Sequence, residues 1–219
     1  MGNSVAAAAA HTRRYPPEHG ISIYARSGAR KYINASERAS VIAAAARLEV
    51  ERALFVATLV WTGARVSEVL ALRPRAFQVT SGVVAIKTLK RRRPVMREVP
   101  IPPALMQALD EHFHLAVAQQ EDDAGDAPLW RFCRETAWRI VKGVMERAGV
   151  QGRAACPRGL RHGFGIGTLQ AGVPITLVQR WMGHAHLSTT AIYADVSGPE
   201  EYALAERYWR WGERAVQTH

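Results

Sequence analysis

The sequence predicts an α+β fold, mainly helical, with a small antiparallel three-stranded sheet inserted early in the chain. Most of the chain shows apolar residues at helical spacing, in stretches that end at Gly63, Gly149, Gly172 and Gly183. Between residues 76 and 101 the pattern changes to three β-rich runs, FQVT, GVVAIK and REVPI, with turn residues between them. The length of 219 residues fits one domain of ordinary size with a small appendage.

The helices can be placed in order from their start and stop signals. The predicted helices cover residues 34–48, 53–61, 102–113, 134–148, 158–171, 175–183 and 187–194. The first begins with Asn34 and Glu37, which have the spacing of a capping box. The acidic, Gly-containing stretch at residues 121–128 is predicted to be a loop.

Three segments follow from this pattern. Residues 1–33 are predicted to be a basic, poorly ordered lead-in, residues 34–198 the main domain, and residues 199–219 a terminal amphipathic helix rich in Tyr and Trp. No run approaches the roughly 18 apolar residues of a membrane span. The two cysteines lack a zinc-ligand pattern. We therefore expect a cytoplasmic protein with no metal and no cofactor.

The charge indicates a polyanionic partner. Lys and Arg number 29 against 19 acidic residues, which gives a net charge of +10. Cationic side chains set against phosphates release condensed counterions, so nucleic acid is a natural partner. A basic soluble protein without such a partner, or one that adheres to anionic membranes, would have the same composition.

Two motifs in the first half of the chain carry candidate chemistry. In TGARVSE (62–68), Arg65 and Glu68 lie one helical turn apart, so Glu68 can orient Arg65. A surface ion pair is the alternative interpretation. The hairpin KTLKRRRPVMR (87–97) holds six Lys or Arg in eleven residues. Its tip can enter a DNA groove, or it is only a solvated charged turn.

Two more motifs follow in the second half. PRGLRHG (157–163) places Arg158 and Arg161 at the start of a helix, where two guanidiniums and free N–H groups suit a phosphate. His162 follows Arg161 directly, and three interpretations of it are open: a ligand, a base or a structural residue. In WMGHAHLSTTAIYAD (181–195), Tyr193 stands nine residues after His184. A tyrosine in a helix is more often a packing residue.

Together the four motifs resemble the phage integrase, or tyrosine recombinase, family. The pattern TGxRxSE, the tripeptide LRH, GHxxxxTT and a tyrosine nine residues beyond the histidine occur here in the family's order, over residues 35–200. The resemblance implies the family's catalytic domain and a site-specific DNA recombinase that forms a 3′-phosphotyrosyl intermediate.

The resemblance also implies roles for the matching residues. Arg65 and Arg161 would clamp the scissile phosphate, and Glu68 would support Arg65. His184 would hydrogen-bond the phosphate, and Tyr193 would be the nucleophile. Fixed guanidiniums stabilise the charge of such a transition state without reorganisation, and they favour a phenolate.

The hairpin holds the remaining implied residues. Lys90 lies where the family places the general acid for the leaving 5′-hydroxyl, and Lys87 is the rival for that role. Residues Arg91, Arg92 and Arg93, with Lys87, are predicted to bind DNA. Double-stranded DNA is the expected partner, bound by a homo-oligomer from dimer to tetramer, with an accessory DNA-binding protein as a further candidate.

The chain departs from the family pattern in two places. Arg158 stands where the family usually has His. An Arg can stabilise the phosphate but cannot exchange a proton near neutral pH. If that site has to accept the tyrosine proton, His162 or a water near Glu68 must replace it. The family also usually carries an N-terminal core-binding domain, for which residues 1–33 are too few, so we expect the lead-in or a partner to serve instead.

Two other functions stay open on the sequence. A DNA-binding regulator of the same fold would not cleave, and a type IB topoisomerase would relax DNA as a monomer.

Overall fold

The chain folds as helices around a small sheet, as a computed structural model shows. The structure describes residues 22–89, 95–196, 201–203, 205–206 and 209–210. Ten helices run through these residues: α1 Ala35–Ala45, α2 Val50–Thr62, α3 Val66–Leu70, α4 Pro103–Phe113, α5 Leu115–Ala118, α6 Asp122–Asp126, α7 Arg134–Arg147, α8 Pro157–Gln170, α9 Ile175–Met182 and α10 Ser188–Ala191. Short 3-10 turns occupy Pro74–Ala76 and Gly152–Ala154.

The sheet is antiparallel and three-stranded, as predicted, and its strand order is β1-β2-β3. Its strands are β1 Phe77–Gln78, β2 Val83–Thr88 and β3 Val95–Pro100. Val84 pairs with Val99 and Ile86 pairs with Arg97. Because side chains alternate between the two faces, Arg97 shares the buried face with Ile86 and Val99.

The capping box at the start of α1 is confirmed. The Asn34 side chain accepts a hydrogen bond from the Glu37 backbone N–H, and the Glu37 carboxylate accepts one from the Asn34 N–H. Arg30 holds the same carboxylate with two contacts of 3.0 Å. Residues 22–33, assigned to the lead-in, thus contact the main domain, and Tyr32 and Ile33 are buried in it.

The prediction of a loop over the acidic stretch 121–128 was wrong, because α6 lies within it. Asp122 and Asp123 occupy the first turn of α6, where carboxylates favour a helix start. Arg75 pairs with Asp122 at 2.9 Å and lies 3.8 Å from Asp126. A distant cation therefore holds both ends of a helix that local sequence does not predict.

Two apolar clusters make up the interior. The larger lies among α1, α2, α4, α7 and the buried face of the sheet. The second core joins the segment before α1 to α8, α9 and the chain after α10; its buried residues are Ile23, Tyr32, Phe164, Ile166, Val178, Met182, Ile192, Tyr193 and Val196. Among the described residues, no helix is long and apolar enough to cross a membrane.

Candidate active site

Arg161 lies at the centre of the site and is held by the ends of two other helices. Its Nη1 donates to the Gly63 carbonyl and its Nη2 to the Met182 carbonyl, both at 2.6 Å. Carbonyls at a helix C-terminus have no partner within their own helix and carry partial negative charge. Burial, and then the charge of Arg65, lowers the pKa of Arg161 to about 10, so the guanidinium stays charged at neutral pH.

The two glycines at these helix ends are needed by the geometry. Gly63 and Gly183 have φ of +60° and +67°, the left-handed conformation that glycine adopts without strain. A Cβ on Gly63 would lie 2.3 Å from the Phe164 ring, and one on Gly183 would lie 2.9 Å from the Thr88 hydroxyl. Glycine therefore lets α2, α8, α9 and the sheet approach closely around the site.

Arg65 and Glu68 form the predicted pair, with a different local geometry. Arg65 is the N-cap of α3 and precedes the helix, and the Glu68 carboxylate reaches back to its backbone N–H at 2.9 Å. The same carboxylate pairs with Arg65 Nη1 at 2.7 Å. Glu68 thus fixes both the main chain and the guanidinium of Arg65.

A third arginine, Arg97, was missed as a site residue. The sequence places it in the basic hairpin, yet its side chain is only 2% exposed. It pairs with Glu68 at 2.7 Å, and it also donates to the Thr88 hydroxyl and to the Trp181 carbonyl. The interpretation of Arg97 as part of a solvated or groove-binding tip was wrong. Its position two residues before the buried Val99 was the available signal.

Glu68 consequently stays ionised in the interior. Burial alone would raise its pKa, but the charge of Arg97 and the hydrogen bonds from Arg65 and Arg97 together lower that pKa. The Glu68 carboxylate thus links α3 to β3 through its contact with Arg97.

His184 follows the turn that ends α9. Its Nδ1 lies 2.9 Å from the Thr190 hydroxyl, and its ring stacks on Tyr193 with centroids 6.2 Å apart. Burial, followed by the charges of Arg161 and Arg65, lowers the pKa of His184 to about 3. The second threonine of the GHxxxxTT pattern therefore orients the histidine.

Tyr193 lies in a turn just after α10, since the helix predicted over 187–194 is shorter than expected. Its side chain is 1% exposed, and its hydroxyl lies 3.2 Å from His162 Nδ1. Burial raises the pKa of Tyr193 to about 12, although the charges of Arg161 and Arg65 oppose that rise. The ring rests on Gly165, where a Cβ would lie 2.6 Å from its Cε2.

His162 is therefore part of this site. Burial, and then the charges of Arg161, Arg158 and Lys31, lowers its pKa to about 4. Its place directly after Arg161 in the LRH tripeptide was the sequence signal.

The remaining predicted residues lie elsewhere. Arg158 is exposed in the first turn of α8, where its charge contributes to the lowered pKa of His162. Lys87 is exposed on the sheet face opposite Arg97, paired with Met96 in the register. The other four hairpin residues, Lys90, Arg91, Arg92 and Arg93, lie outside the described residues.

The assembled groups are suited to one kind of chemistry. The charges of two guanidiniums, Arg161 and Arg65, both act to lower the pKa of the buried Tyr193 phenol. Cations fixed beside a nucleophile stabilise an anion that forms there. Within the described residues, no group of three or more His, Cys, Asp and Glu could hold a metal ion.

Comparison with known proteins identifies the family. The model of the phage integrase family matches residues 31–199. The chain belongs to the phage integrase family. Among curated relatives, tyrosine recombinase XerC of Herpetosiphon aurantiacus is 35% identical over 142 residues, 62% of this chain and 45% of the relative. Tyrosine recombinase XerA of Pyrococcus furiosus is 30% identical over 162 residues, 70% and 53% of the two chains.

Solved structures agree with the fold. A XerA recombinase structure matches with a TM-score of 0.65 at 26% identity, covering 82% of this chain and 64% of that one. The catalytic domain of bacteriophage HP1 integrase matches with a TM-score of 0.58 at 20% identity, covering 80% and 93%, a likeness of fold alone. The chain spans about half the length of the curated relatives it matches.

Proposed function

We propose that this chain is the catalytic domain of a site-specific DNA recombinase that cuts and rejoins double-stranded DNA through a 3′-phosphotyrosyl intermediate. One observation carries the proposal: Tyr193 is buried with its hydroxyl 3.2 Å from His162, the residue that follows Arg161, and the charges of Arg161 and Arg65 favour its phenolate. A buried tyrosine that only packs would not need two cations whose charges favour its phenolate.

The roles follow from the positions of the groups. Arg65 and Arg161 hold the non-bridging oxygens of the scissile phosphate and stabilise the charge that builds up on them. His184 donates a hydrogen bond to the same phosphate, with its other nitrogen held by Thr190. Tyr193 attacks phosphorus, the bond to the 5′-oxygen breaks, and religation reverses the step without ATP because the phosphotyrosine conserves the bond energy.

The leaving 5′-oxygen needs a proton, for which Lys90 is our candidate and Lys87 the rival. Arg158 adds a further cation beside the phosphate in place of the family's usual histidine. Arg158→Ala should then cost on the order of 2–4 kcal/mol of transition-state stabilisation, as for the loss of one preorganised donor. Cleavage by Arg158→Ala at the wild-type rate would make this residue a bystander.

DNA is the proposed partner, bound by several copies of the chain. A relative of the same fold, XerH, has been solved bound to its difH substrate. The terminal stretch 199–219 is our candidate for exchange between copies, since Tyr202 and Trp209 are 61% and 49% exposed. A non-cleaving regulator would have no use for Tyr193, and a type IB topoisomerase would relax supercoils as a monomer without pairing two sites.

The test is trapping of the covalent intermediate. The Tyr193→Phe protein first selects its target from random duplexes, and nicked duplexes of the selected sequence are then given to the wild type. We expect a slow-migrating protein–DNA adduct that Tyr193→Phe abolishes and Tyr202→Phe, an exposed control, retains. An adduct that survives Tyr193→Phe would falsify the assignment, and pairing of two target duplexes in a gel separates recombinase from topoisomerase.

A further inference from the structure

His162 lies against the atom that would react. It follows Arg161 on α8, is 7% exposed, and has Nδ1 3.2 Å from the Tyr193 hydroxyl oxygen. We infer that His162 accepts the hydrogen bond of the Tyr193 hydroxyl and takes its proton as that oxygen bonds to phosphorus. The inference rests on the proposed function and adds the proton acceptor that Arg158 cannot be.

The geometry of α8 favours this role over simple packing. His162 and Gly165 stand one helical turn apart and both face Tyr193. Gly165 gives the ring a place to lie, and His162 contacts the hydroxyl at its far end. The phenol oxygen is thus held within hydrogen-bonding distance of an imidazole nitrogen, and the 1% exposure of Tyr193 leaves bulk water little access.

The other charged and titratable groups around His162 are unsuited to accept this proton. Arg158 and Arg161 on its own helix, and Lys31 from the segment before α1, are cations. His184 contacts Thr190 through Nδ1 and stacks on the face of the Tyr193 ring.

Glu68 is the buried carboxylate of the site, and both of its oxygens are held. Arg65 contacts Oε1, while Arg97 and the Arg65 backbone contact Oε2. Among the described residues that face Tyr193, His162 therefore stands out as the group with a nitrogen directed at the phenol.

The electrostatics assign the transfer to the DNA-bound state. Without DNA the pKa of His162 is lowered to about 4 and that of Tyr193 is raised to about 12, in each case by burial first, so the proton stays on the phenol. A phosphate between Arg65 and Arg161 brings a negative charge that offsets the cations around His162. This charge raises the pKa of His162, and the proton moves as the phosphorus–oxygen bond removes electron density from the phenol oxygen.

The step balances without another reactant. The Tyr193 O–H bond breaks and its proton passes to His162 Nδ1, while the phenol oxygen forms the bond to phosphorus. The bond from phosphorus to the 5′-oxygen breaks, and that oxygen takes a proton from the hairpin lysine. In religation His162 returns its proton to Tyr193.

Single-turnover cleavage by two sets of variants tests the inference. His162→Asn keeps a hydrogen-bonding group near the position of Nδ1 but cannot take a proton, and His112→Asn, on the exposed surface of α4, is the matched control. Each is measured on a normal nicked substrate and on one with sulfur at the 5′-bridging position. Sulfur leaves without a proton, so it rescues loss of a general acid and not loss of the base.

We expect His162→Asn to cleave both substrates about 10²–10⁴-fold more slowly than wild type at pH 7, the range for a general base. Lys87→Ala or Lys90→Ala, whichever removes the acid, should recover on the sulfur substrate, and His112→Asn should match wild type. A His162→Asn rate within threefold of wild type, or its recovery on the sulfur substrate, overturns the inference.

Two further readouts keep the test decisive. Absence of any wild-type adduct on either substrate overturns the proposed function, whereas a wild-type adduct with an unaffected His162→Asn overturns only this inference. If His162→Asn does not fold, judged by its melting temperature, the wild-type pH–rate profile on the sulfur substrate decides. A one-proton loss of rate toward acid pH supports His162 as acceptor, and a flat profile from about pH 5 to 8 overturns it.

Discussion

The two halves of the candidate site are built differently. On the helical half, α8, α9 and the turn after α10 direct Arg161, His184 and Tyr193 inward, where all three are less than 10% exposed. On the sheet half, the inward position of β3 is taken by Arg97, while Lys87 of β2 faces solvent. Tyr193, the proposed nucleophile, is thus buried together with Arg161 and His184, whereas Lys87, the described lysine of the hairpin, is exposed. The sheet half therefore contributes Arg97 as a buried structural charge and Lys87 as a charge exposed to solvent.

Loss of Arg97 should have the largest effect on stability, because it would leave Glu68 with one of its two guanidinium partners. Removing one partner of a buried ion pair costs about 3–5 kcal/mol of the free energy of unfolding. We expect Arg97→Met to show a loss of that size in urea denaturation. The double variant Arg97→Met with Glu68→Leu should recover part of it, since no buried charge is left unpaired. A loss below about 1 kcal/mol for Arg97→Met would mean that the sheet half does not depend on this charge.

Acid should destabilise the helical half through its two histidines. His162 and His184 have folded pKa values of about 4 and about 3, below the value of about 6.5 for an unfolded histidine. The unfolded chain therefore binds more protons, and stability that is present above pH 6.5 is lost as the pH falls toward the folded values. Between pH 7 and pH 5 each histidine should account for about 2 kcal/mol of that loss.

The measurement is urea denaturation across that pH range, with His184→Gln beside the wild type. The variant should lose about half of the histidine-dependent slope. An identical pH dependence in the two proteins would contradict the assignment of buried neutral histidines.

Gly165→Ala should disturb the packing of the Tyr193 ring against α8. The added methyl would lie 2.6 Å from the Tyr193 ring, and such overpacking costs about 1–3 kcal/mol. The matched control is Gly143→Ala on α7, where nothing lies within 4 Å of the new Cβ, and it should stabilise by up to about 1 kcal/mol. Thermal denaturation gives both values, and adduct formation shows whether the phenol has moved. Equal shifts of the melting temperature in the two variants would mean that Gly165 is not needed to position Tyr193.

Replacing Arg91, Arg92 and Arg93 by Ala should have the smallest effect on the fold and act on DNA binding. For each phosphate that the variant no longer binds, the dependence of log affinity on log salt should flatten by up to about 0.9. Gel-shift titrations at several salt concentrations measure the slope, with Arg131, Arg134 and Arg139 replaced by Ala as a control of equal charge. An unchanged slope for the hairpin variant would leave its tip as a solvated turn.

The sequence predicts the fold better than it predicts the inner geometry of the site. Helix caps and alternating strands are local signals, so the capping box at Asn34 and the three-stranded sheet follow from sequence alone. The helix at Asp122–Asp126 does not, because its partner Arg75 is 47 residues away from Asp122. The burial of Arg97 is also missed, because a basic run has the same composition whether one of its side chains faces inward or all of them face solvent. His162 acquires its contact with Tyr193 across 31 residues, a distance that only the fold closes.

If the chain binds DNA as proposed, the position of Arg161 bears on how tightly that DNA is held. Two of its five N–H donors are already used on the carbonyls of Gly63 and Met182, so the direction of the guanidinium is set before a phosphate arrives. A side chain that must be immobilised on binding costs about 0.5–1.5 kcal/mol of affinity. For Arg161 that entropy is lost when the chain folds. The free energy of its contact with phosphate therefore does not have to offset the cost of immobilising the side chain. A lysine at this position, with a flexible stem and a single charged nitrogen, would have to lose the same freedom at each encounter with DNA.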